Sequence, residues 1–316
     1  MKKYVIALGG NAITGNSYQK QLESAYVTLH SFIELLSNTE NKIAITYGNG
    51  PQVGNILIQN SAAKRLTPEQ PIYACVAQSQ GLLSCIIQTA LYNLLRKNDI
   101  RRDILGTITF IEVNPNDPAF NNQTKPIGPF YSKLEIRELL CQNNNHIFKK
   151  ITDKTWRRAV PSPEPLKILD ADAVKKIFES GNIPITCGGG GVPIINDGEN
   201  FFGIDAVIDK DKASALLADF LDADVLIVLT NEPQVALNYK KNNEKRLDYM
   251  NATNAKKYLN EGHFAEGSMK PKIEAAICFV EKNIKRKALI TDYNCLSDAL
   301  QNKNGTWIYN KNGEEK

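Results

Sequence analysis

Three lysines and three glycine-bearing turns are the parts of this chain whose residue types and spacing suit chemistry. Gly9-Gly10-Asn11 follows the apolar run Tyr4 to Leu8, Gly48-Asn49-Gly50 follows Lys42 to Tyr47, and Gly188-Gly189-Gly190-Gly191 follows Ile183 to Cys187. Each turn stands at the carboxyl end of a predicted strand, where free backbone N–H groups can face an anion. The last two also lie near helix or hairpin starts, whose N–H groups can face the same charge. Four consecutive glycines lose much chain entropy on ordering, so a fold keeps them where something approaches the main chain closely. A cradled phosphate would do so; the plainer reading is a tight surface turn. Three such turns in one sheet argue for a polyphosphate or a pair of anionic substrates.

The lysines point the same way. Lys210 stands between Asp209 and Asp211, just before a helix predicted from Ala213; out of context that triplet reads as a solvated turn. Lys272 falls in the first turn of a helix predicted over Pro271 to Glu281, where the macrodipole disfavours a cation unless a phosphate is bound beside it. Lys125, in Thr124-Lys125-Pro126-Ile127-Gly128-Pro129, is presented stiffly between turn-forming residues. Singly each is bland. Together with the turns they suggest phosphoryl transfer, in which catalysis is mostly positioning and charge neutralisation.

The elements that must position these groups alternate. Tyr4 to Leu8, Lys42 to Tyr47, Ile104 to Ile111, Ile183 to the four glycines, Val225 to Thr230, Lys287 to Thr291 and Thr306 to Tyr309 read as strands. Gln21 to Leu36, Val53 to Lys64, Tyr73 to Leu95, Asp172 to Ser180, Ala213 to Leu221, Ala252 to Leu259 and Pro271 to Glu281 read as helices. Ile194-Ile195 and Phe201-Phe202 flank Asn196-Asp197-Gly198, a hairpin signal. Alternation of this kind predicts a mostly parallel sheet, with ligands at the carboxyl ends of its strands. Residues 114–166, rich in proline and carrying Lys149, Lys150, Lys154, Arg157 and Arg158, break the pattern. They are expected to form an excursion, a lid or small protruding subdomain within one domain spanning 1–316.

The totals narrow the function classes. A net charge of +4 in 316 residues is too mild for nucleic acid to be the main partner. Six scattered cysteines without a C-x-x-C pair, with three histidines, argue against a zinc site or disulfide scaffold and for a reducing, cytoplasmic setting. The apolar run after Lys2-Lys3 is too short for a signal peptide, and no uninterrupted apolar run would span a bilayer. No glycine is followed by lysine, which excludes a Walker A loop. Gly48-x-Gly50-x-x-x-Gly54 is one residue too long for a dinucleotide fingerprint.

With these residues in view, the chain resembles the carbamate kinases of the amino acid kinase superfamily over nearly its whole length. The resemblance is carried by Ala7-Leu8-Gly9-Gly10-Asn11-Ala12, Gly48-Asn49-Gly50-Pro51-Gln52-Val53-Gly54, Lys125-Pro126-Ile127-Gly128-Pro129-Phe130-Tyr131, Cys187 to Gly191, Ala206 to Asp211, Gly262-His263-Phe264-Ala265 and Gly267 to Ala276. It implies an open, mostly parallel α/β/α sandwich, a homodimer, and the reaction ATP + carbamate ⇌ ADP + carbamoyl phosphate, run mainly toward ATP in fermentative arginine breakdown. By that similarity Gly9, Gly10, Asn11, Gly48, Asn49 and Gly50 hold the carbamate and the transferring phosphoryl group. Lys125, Lys210 and Lys272 spread positive charge over the transition state, and Asp211 orients lysines. Gly188, Gly189, Gly190 and Gly191 pack against the nucleotide; Val235, Tyr239, Met269 and Pro271 line the adenine pocket. Mg2+ rides on the nucleotide phosphates, with no metal ligands expected from the protein.

The chain departs from the family pattern at Tyr47, where a histidine is usual, at Asp292-Tyr293, and in the polar segment Lys240 to Arg246. Tyr47 reads as a neutral swap at the edge of the site or as a change in activity. Two other readings stand beside the kinase: a degenerate paralogue that binds nucleotide without turnover, and a same-fold kinase for another small acid. Arg157-Arg158 either anchors the excursion or reaches the phosphates, and His263 reads as a structural residue.

Overall fold

The computed structural model describes residues 1–10, 12–141 and 146–310. The chain opens with strand β1 (Lys3–Leu8), helices α1 (Tyr18–His30) and α2 (Ile33–Ser37), strand β2 (Lys42–Tyr47), and helices α3 (Gly50–Ala63) and α4 (Ile72–Lys97). Strands β3 (Ile104–Gly106), β4 (Phe110–Val113) and β5 (Lys125–Tyr131) follow, then helix α5 (Lys133–Cys141) and strands β6 (Ile147–Lys150), β7 (Trp156–Val160) and β8 (Pro165–Ile168). Next come α6 (Ala171–Glu179), β9 (Ile183–Ile185), β10 (Val192–Asn196), β11 (Phe201–Gly203), α7 (Lys210–Phe220) and β12 (Val225–Thr230). The last part holds β13 (Val235–Leu237), β14 (Lys245–Leu247), β15 (Tyr249–Asn251), α8 (Ala252–Asn260), α9 (Met269–Glu281), β16 (Lys287–Asp292), α10 (Leu296–Leu300) and β17 (Thr306–Tyr309).

Eight strands form the main sheet in the order β15-β17-β16-β12-β1-β2-β9-β3. Every neighbouring pair is parallel except β16 with β17. Its central strands are apolar throughout because helices cover both faces. Val5, Ala44, Leu226 and Val228 pack on one face with Phe178 of α6, Leu217 of α7 and Phe279 of α9. Tyr4, Ile6, Ile43 and Ile45 pack on the other with Leu29 of α1 and Leu83 and Leu91 of α4. Successive residues of one strand thus serve opposite cores, and the result is the expected open α/β/α sandwich. Helix α4 is long and apolar enough to cross a membrane by length and composition alone, but 56% of its most apolar window is buried inside this fold.

The observed boundaries differ from the sequence expectation in places that matter for the site. Ile104 to Ile111 is two strands: β3 edges the main sheet, and β4 enters a second sheet of order β11-β10-β4-β8. Helix α7 begins at Lys210 rather than Ala213, because the Asp209 carboxylate caps it, accepting the Asp211 N–H at 2.9 Å. Within the excursion, β5, β7 and β6 form an antiparallel sheet. Ile127 and Val160 from that sheet are buried with Val53 and Ile56 of α3 and with Val207. Arg157 donates Nε–H to the Gly128 carbonyl at 3.0 Å, and its guanidinium lies 5.2 Å from the centre of the Phe130 ring. Both contacts are within the excursion.

Candidate active site

The carboxyl ends of β1 and β2 meet with no space between them. A Cβ built on Gly48 would stand 3.1 Å from Gly10 Cα and 3.2 Å from Lys210 Cδ; one on Gly9 would stand 2.9 Å from the Leu229 carbonyl oxygen. Gly9 and Gly48 are therefore required by close packing of main chain on main chain and on one lysine. Gly10 and Gly50 face open space. Asn11 lies outside the described residues.

Lysines from three distant parts of the chain converge on two aspartates at the start of α7. Lys125 Nζ lies 2.7 Å from Asp209 Oδ2, Lys210 Nζ 2.5 Å from Asp211 Oδ1, and Lys272 Nζ 3.0 Å from Asp211 Oδ2. Lys210 and Lys272 each occupy a helix N-terminal region that repels cations. Asp211, whose side chain is 4% exposed, supplies the charge that holds both. Burial by itself would raise the Asp211 carboxyl, but Lys210 and Lys272 outweigh it and keep the group well below the ordinary carboxylate range. Burial pushes the Lys210 ammonium down, and Lys272 adds to this while Asp211 and Asp209 oppose it. Two carboxylates hold three lysines in a partly desolvated cluster, an arrangement able to receive a highly charged anion.

A cleft of about 700 Å³ opens beside this cluster, bounded by Gly9, Gly10 and Lys272 at one end. Its walls come from the end of β12 and the turn after it (Thr230, Asn231, Glu232), from β13 and the loop beyond it (Ala236, Asn238, Tyr239, Lys241), and from Glu261 to Ala265 and Gly267 to Met269. Tyr239 and Met269, expected at a nucleotide pocket, line it. Val235 does not: its side chain belongs to the core, and its N–H donates to Thr306 Oγ1 at 2.8 Å. Its neighbour Ala236 takes the lining position, and Pro271 is absent from the wall. Asn231 and Glu232 went unnoticed in the sequence although they follow a buried parallel strand, the same signal that marked the glycine turns. His263 lines the cleft with Nε2 3.2 Å from Glu261 Oε2 and its ring edge-on to Tyr258.

The four glycines face inward. A Cβ on Gly188 would fall 2.2 Å from Tyr47 Cζ, on Gly189 2.1 Å from Asn49 Nδ2, on Gly190 2.2 Å from the Ile208 carbonyl oxygen, and on Gly191 2.6 Å from Ile111 Cγ1. All four are buried and none borders the large cleft; their lack of side chains is explained by these neighbours. Tyr47 likewise turns inward. It is fully buried, donates its hydroxyl to the Gln80 carbonyl at 3.0 Å and lies 3.1 Å from Ser84 Oγ, and burial raises its phenol pKa. Asn49 is 4% exposed, with Nδ2 donating to Ser79 Oγ at 2.7 Å.

Comparison with known proteins identifies the class. Residues 2–292 match the model of the amino acid kinase family. The chain is 41% identical over 310 residues to the carbamate kinase-like protein YqeA of Escherichia coli, covering 97% of this chain and 99% of that one. It is 42% identical over 312 residues to carbamate kinase 2 of Staphylococcus epidermidis, covering 98% and 100%. The structure of a carbamate kinase from Giardia lamblia bound to AMP-PNP superposes with a TM-score of 0.91 at 36% identity, over 98% of this chain and 99% of that one. The chain belongs to the amino acid kinase family, within its carbamate kinase group.

Proposed function

We propose that the protein is a carbamate kinase, catalysing ATP + carbamate ⇌ ADP + carbamoyl phosphate. The observation that carries this reading is the convergence of Lys125, Lys210 and Lys272 on Asp209 and Asp211, beside Gly10 and Gly48 at the mouth of a nucleotide-sized cleft. Toward ATP, a β-phosphate oxygen of ADP bonds to the phosphorus of carbamoyl phosphate, the phosphorus–oxygen bond to the carbamoyl group breaks, and carbamate leaves as an anion. No proton has to move, so no general base is required. The lysines neutralise charge on the phosphoryl oxygens, and Asp211 keeps Lys210 and Lys272 aimed. Gly10, Gly48 and Gly50 offer main chain to the acceptor end, together with Asn11. Tyr239, Ala236, Phe264 and Met269 offer apolar surface to a base, with Lys272 toward its phosphates.

A divalent ion suits this site as a passenger of the nucleotide. Among the described residues no three His, Cys, Asp or Glu side chains gather, and Asp209 and Asp211 are engaged by lysines. Bound Mg2+ would supply further charge neutralisation on the phosphates. The excursion, residues 114–166, carries Lys125 and is proposed to act as a lid, and the polar segment from Lys240 to Arg246 borders the base end. A homodimer is proposed through the exposed apolar side chains at the β3 edge and on α4, Leu105, Ile108, Leu82 and Tyr92 among them.

An acceptor panel tests the proposal against a same-fold kinase for another acid. With ATP and Mg2+, ADP release is expected with carbamate and not with acetate, aspartate or glutamate. Release with an amino acid and none with carbamate would overturn it.

A further inference from the structure

Three buried polar residues on the inward face of α4, Ser79, Gln80 and Ser84, hold segments that are far apart in sequence. Ser79 Oγ accepts from Asn49 Nδ2 at 2.7 Å and donates to the Val76 carbonyl at 2.6 Å. The Gln80 carbonyl accepts from the Tyr47 hydroxyl, with Ser84 Oγ 3.1 Å from the same hydroxyl. Gln80 Oε1 accepts the Thr109 N–H at 2.8 Å. Thr109 Oγ1 in turn accepts the Cys187 N–H at 3.0 Å and lies 2.7 Å from Thr186 Oγ1. The network therefore reaches both ends of one contact: Tyr47 and Asn49 flank Gly48, and the strand end at Thr186-Cys187 leads into the four glycines. The two turns also touch directly, since Gly188 lies on the Tyr47 ring and Gly189 on the Asn49 amide.

We infer that helix α4 is the positioning element of the acceptor end of the site: Ser79, Gln80 and Tyr47 hold Gly48 to Gly50 and the four-glycine turn in one mutual register, and Asn49 acts through that hold rather than by touching substrate. The term "acceptor end" rests on the proposed function. Buried polar groups in a satisfied network specify one arrangement, because breaking one bond leaves its partner unpaired in a low-dielectric interior. Asn49 Nδ2 is engaged by Ser79, the amide is wedged under Gly189, and only 4% of the residue is exposed, so this side chain is turned toward α4. What the acceptor end presents is main chain, and α4 sets where that main chain stands. Tyr47 belongs to this device, which gives the departure from histidine a role: its hydroxyl spans from the end of β2 to the Gln80 carbonyl.

Ser79→Ala in the full-length protein tests this with two readouts. Amide hydrogen exchange at residues 48–50 and 188–191 should rise at least roughly tenfold, as expected for removal of a buried hydrogen bond of about 1.5 kcal/mol. Turnover toward ATP should fall roughly tenfold to a hundredfold through misplacement, while the KM for ADP stays within about twofold because other elements line the nucleotide cleft. Unchanged exchange in the folded variant would overturn the inference, as would kcat and KM for ADP moving together. Should Ser79→Ala fail to fold, Ser79→Cys, of similar size and weaker as an acceptor, should show the same split at smaller amplitude; wild-type kcat and exchange there would overturn it. A wild-type protein without turnover would remove the proposed function instead, and exchange alone would then decide the role of α4.

Discussion

Replacing Asp211 by asparagine removes the carboxylate on which two lysines converge. Lys210 and Lys272 are 12% and 13% exposed and both lean on this carboxylate, at 2.5 and 3.0 Å. Removing one partner of a buried ion pair costs roughly 3–5 kcal/mol, most of it the uncompensated charge left behind. With an unfolding entropy of about 2.1 cal/mol/K per residue over 316 residues, Asp211→Asn should lower Tm by about 5–8 °C. Activity should suffer more than stability. The lysines would repel each other without a mediator, and loss of a preorganised charged donor costs about 10²–10³ in kcat. The pH dependence carries a further sign. Asp211 raises the Lys210 pKa against burial, so without it Lys210 loses its proton at lower pH, and the alkaline limb of the rate profile should move down. The assay is ATP formation from ADP and carbamoyl phosphate, followed from pH 6 to 10 beside a thermal melt. A folded Asp211→Asn with kcat within threefold of wild type would refute the assigned role of the cluster.

Three further outcomes are expected. Lys125→Ala should reduce kcat by about 10² or more and leave ADP affinity nearly unchanged, because Lys125 enters from the excursion while other elements line the nucleotide cleft; calorimetry and turnover on one preparation check this, and equal losses in both would count against it. Gly190→Ala should destabilise by roughly 3 kcal/mol or more, since φ is +91° and the new Cβ would sit 2.2 Å from the Ile208 carbonyl oxygen; a wild-type melting temperature would contradict the inward packing of that turn. Glu179→Gln should cost about 0.5–1 kcal/mol at neutral pH, because the carboxylate, 34% exposed, pairs with Lys3 and Lys42. Its hydrogen bonds from Lys3 and Lys42 lower its pKa to about 2. That contribution is present above the ordinary value near 4.5 and is lost as pH falls through the folded value, so wild type and variant should converge near pH 2.

The sandwich was legible in the sequence because parallel strands buried on both faces must be apolar throughout, and their ends are marked by glycine. The lysine cluster was legible only as separate residues; that Asp209 caps α7, and so places Lys210 and Asp211 in its first turn, was signalled by an aspartate just ahead of a helical pattern. Gly188 to Gly191 was visible, but the reason for it was not. Tyr47, Asn49, Ile111 and Ile208 press on it from three other segments, and no local pattern encodes such contacts. That Val235 packs in the core was hidden for a related reason. Adjacent strand residues face opposite ways, and only the pairing of β13 with β14 puts Val235 inward and leaves Ala236 on the cleft.

Phosphorus NMR of the wild-type protein with carbamoyl phosphate, ADP and Mg2+ reads the proposed phosphoryl transfer itself. The ATP γ-phosphate resonance should grow, matched by loss of carbamoyl phosphate, at a rate proportional to enzyme and abolished in Lys210→Ala. ADP line broadening with no ATP formed would contradict it, leaving a protein that binds nucleotide without transferring a phosphoryl group.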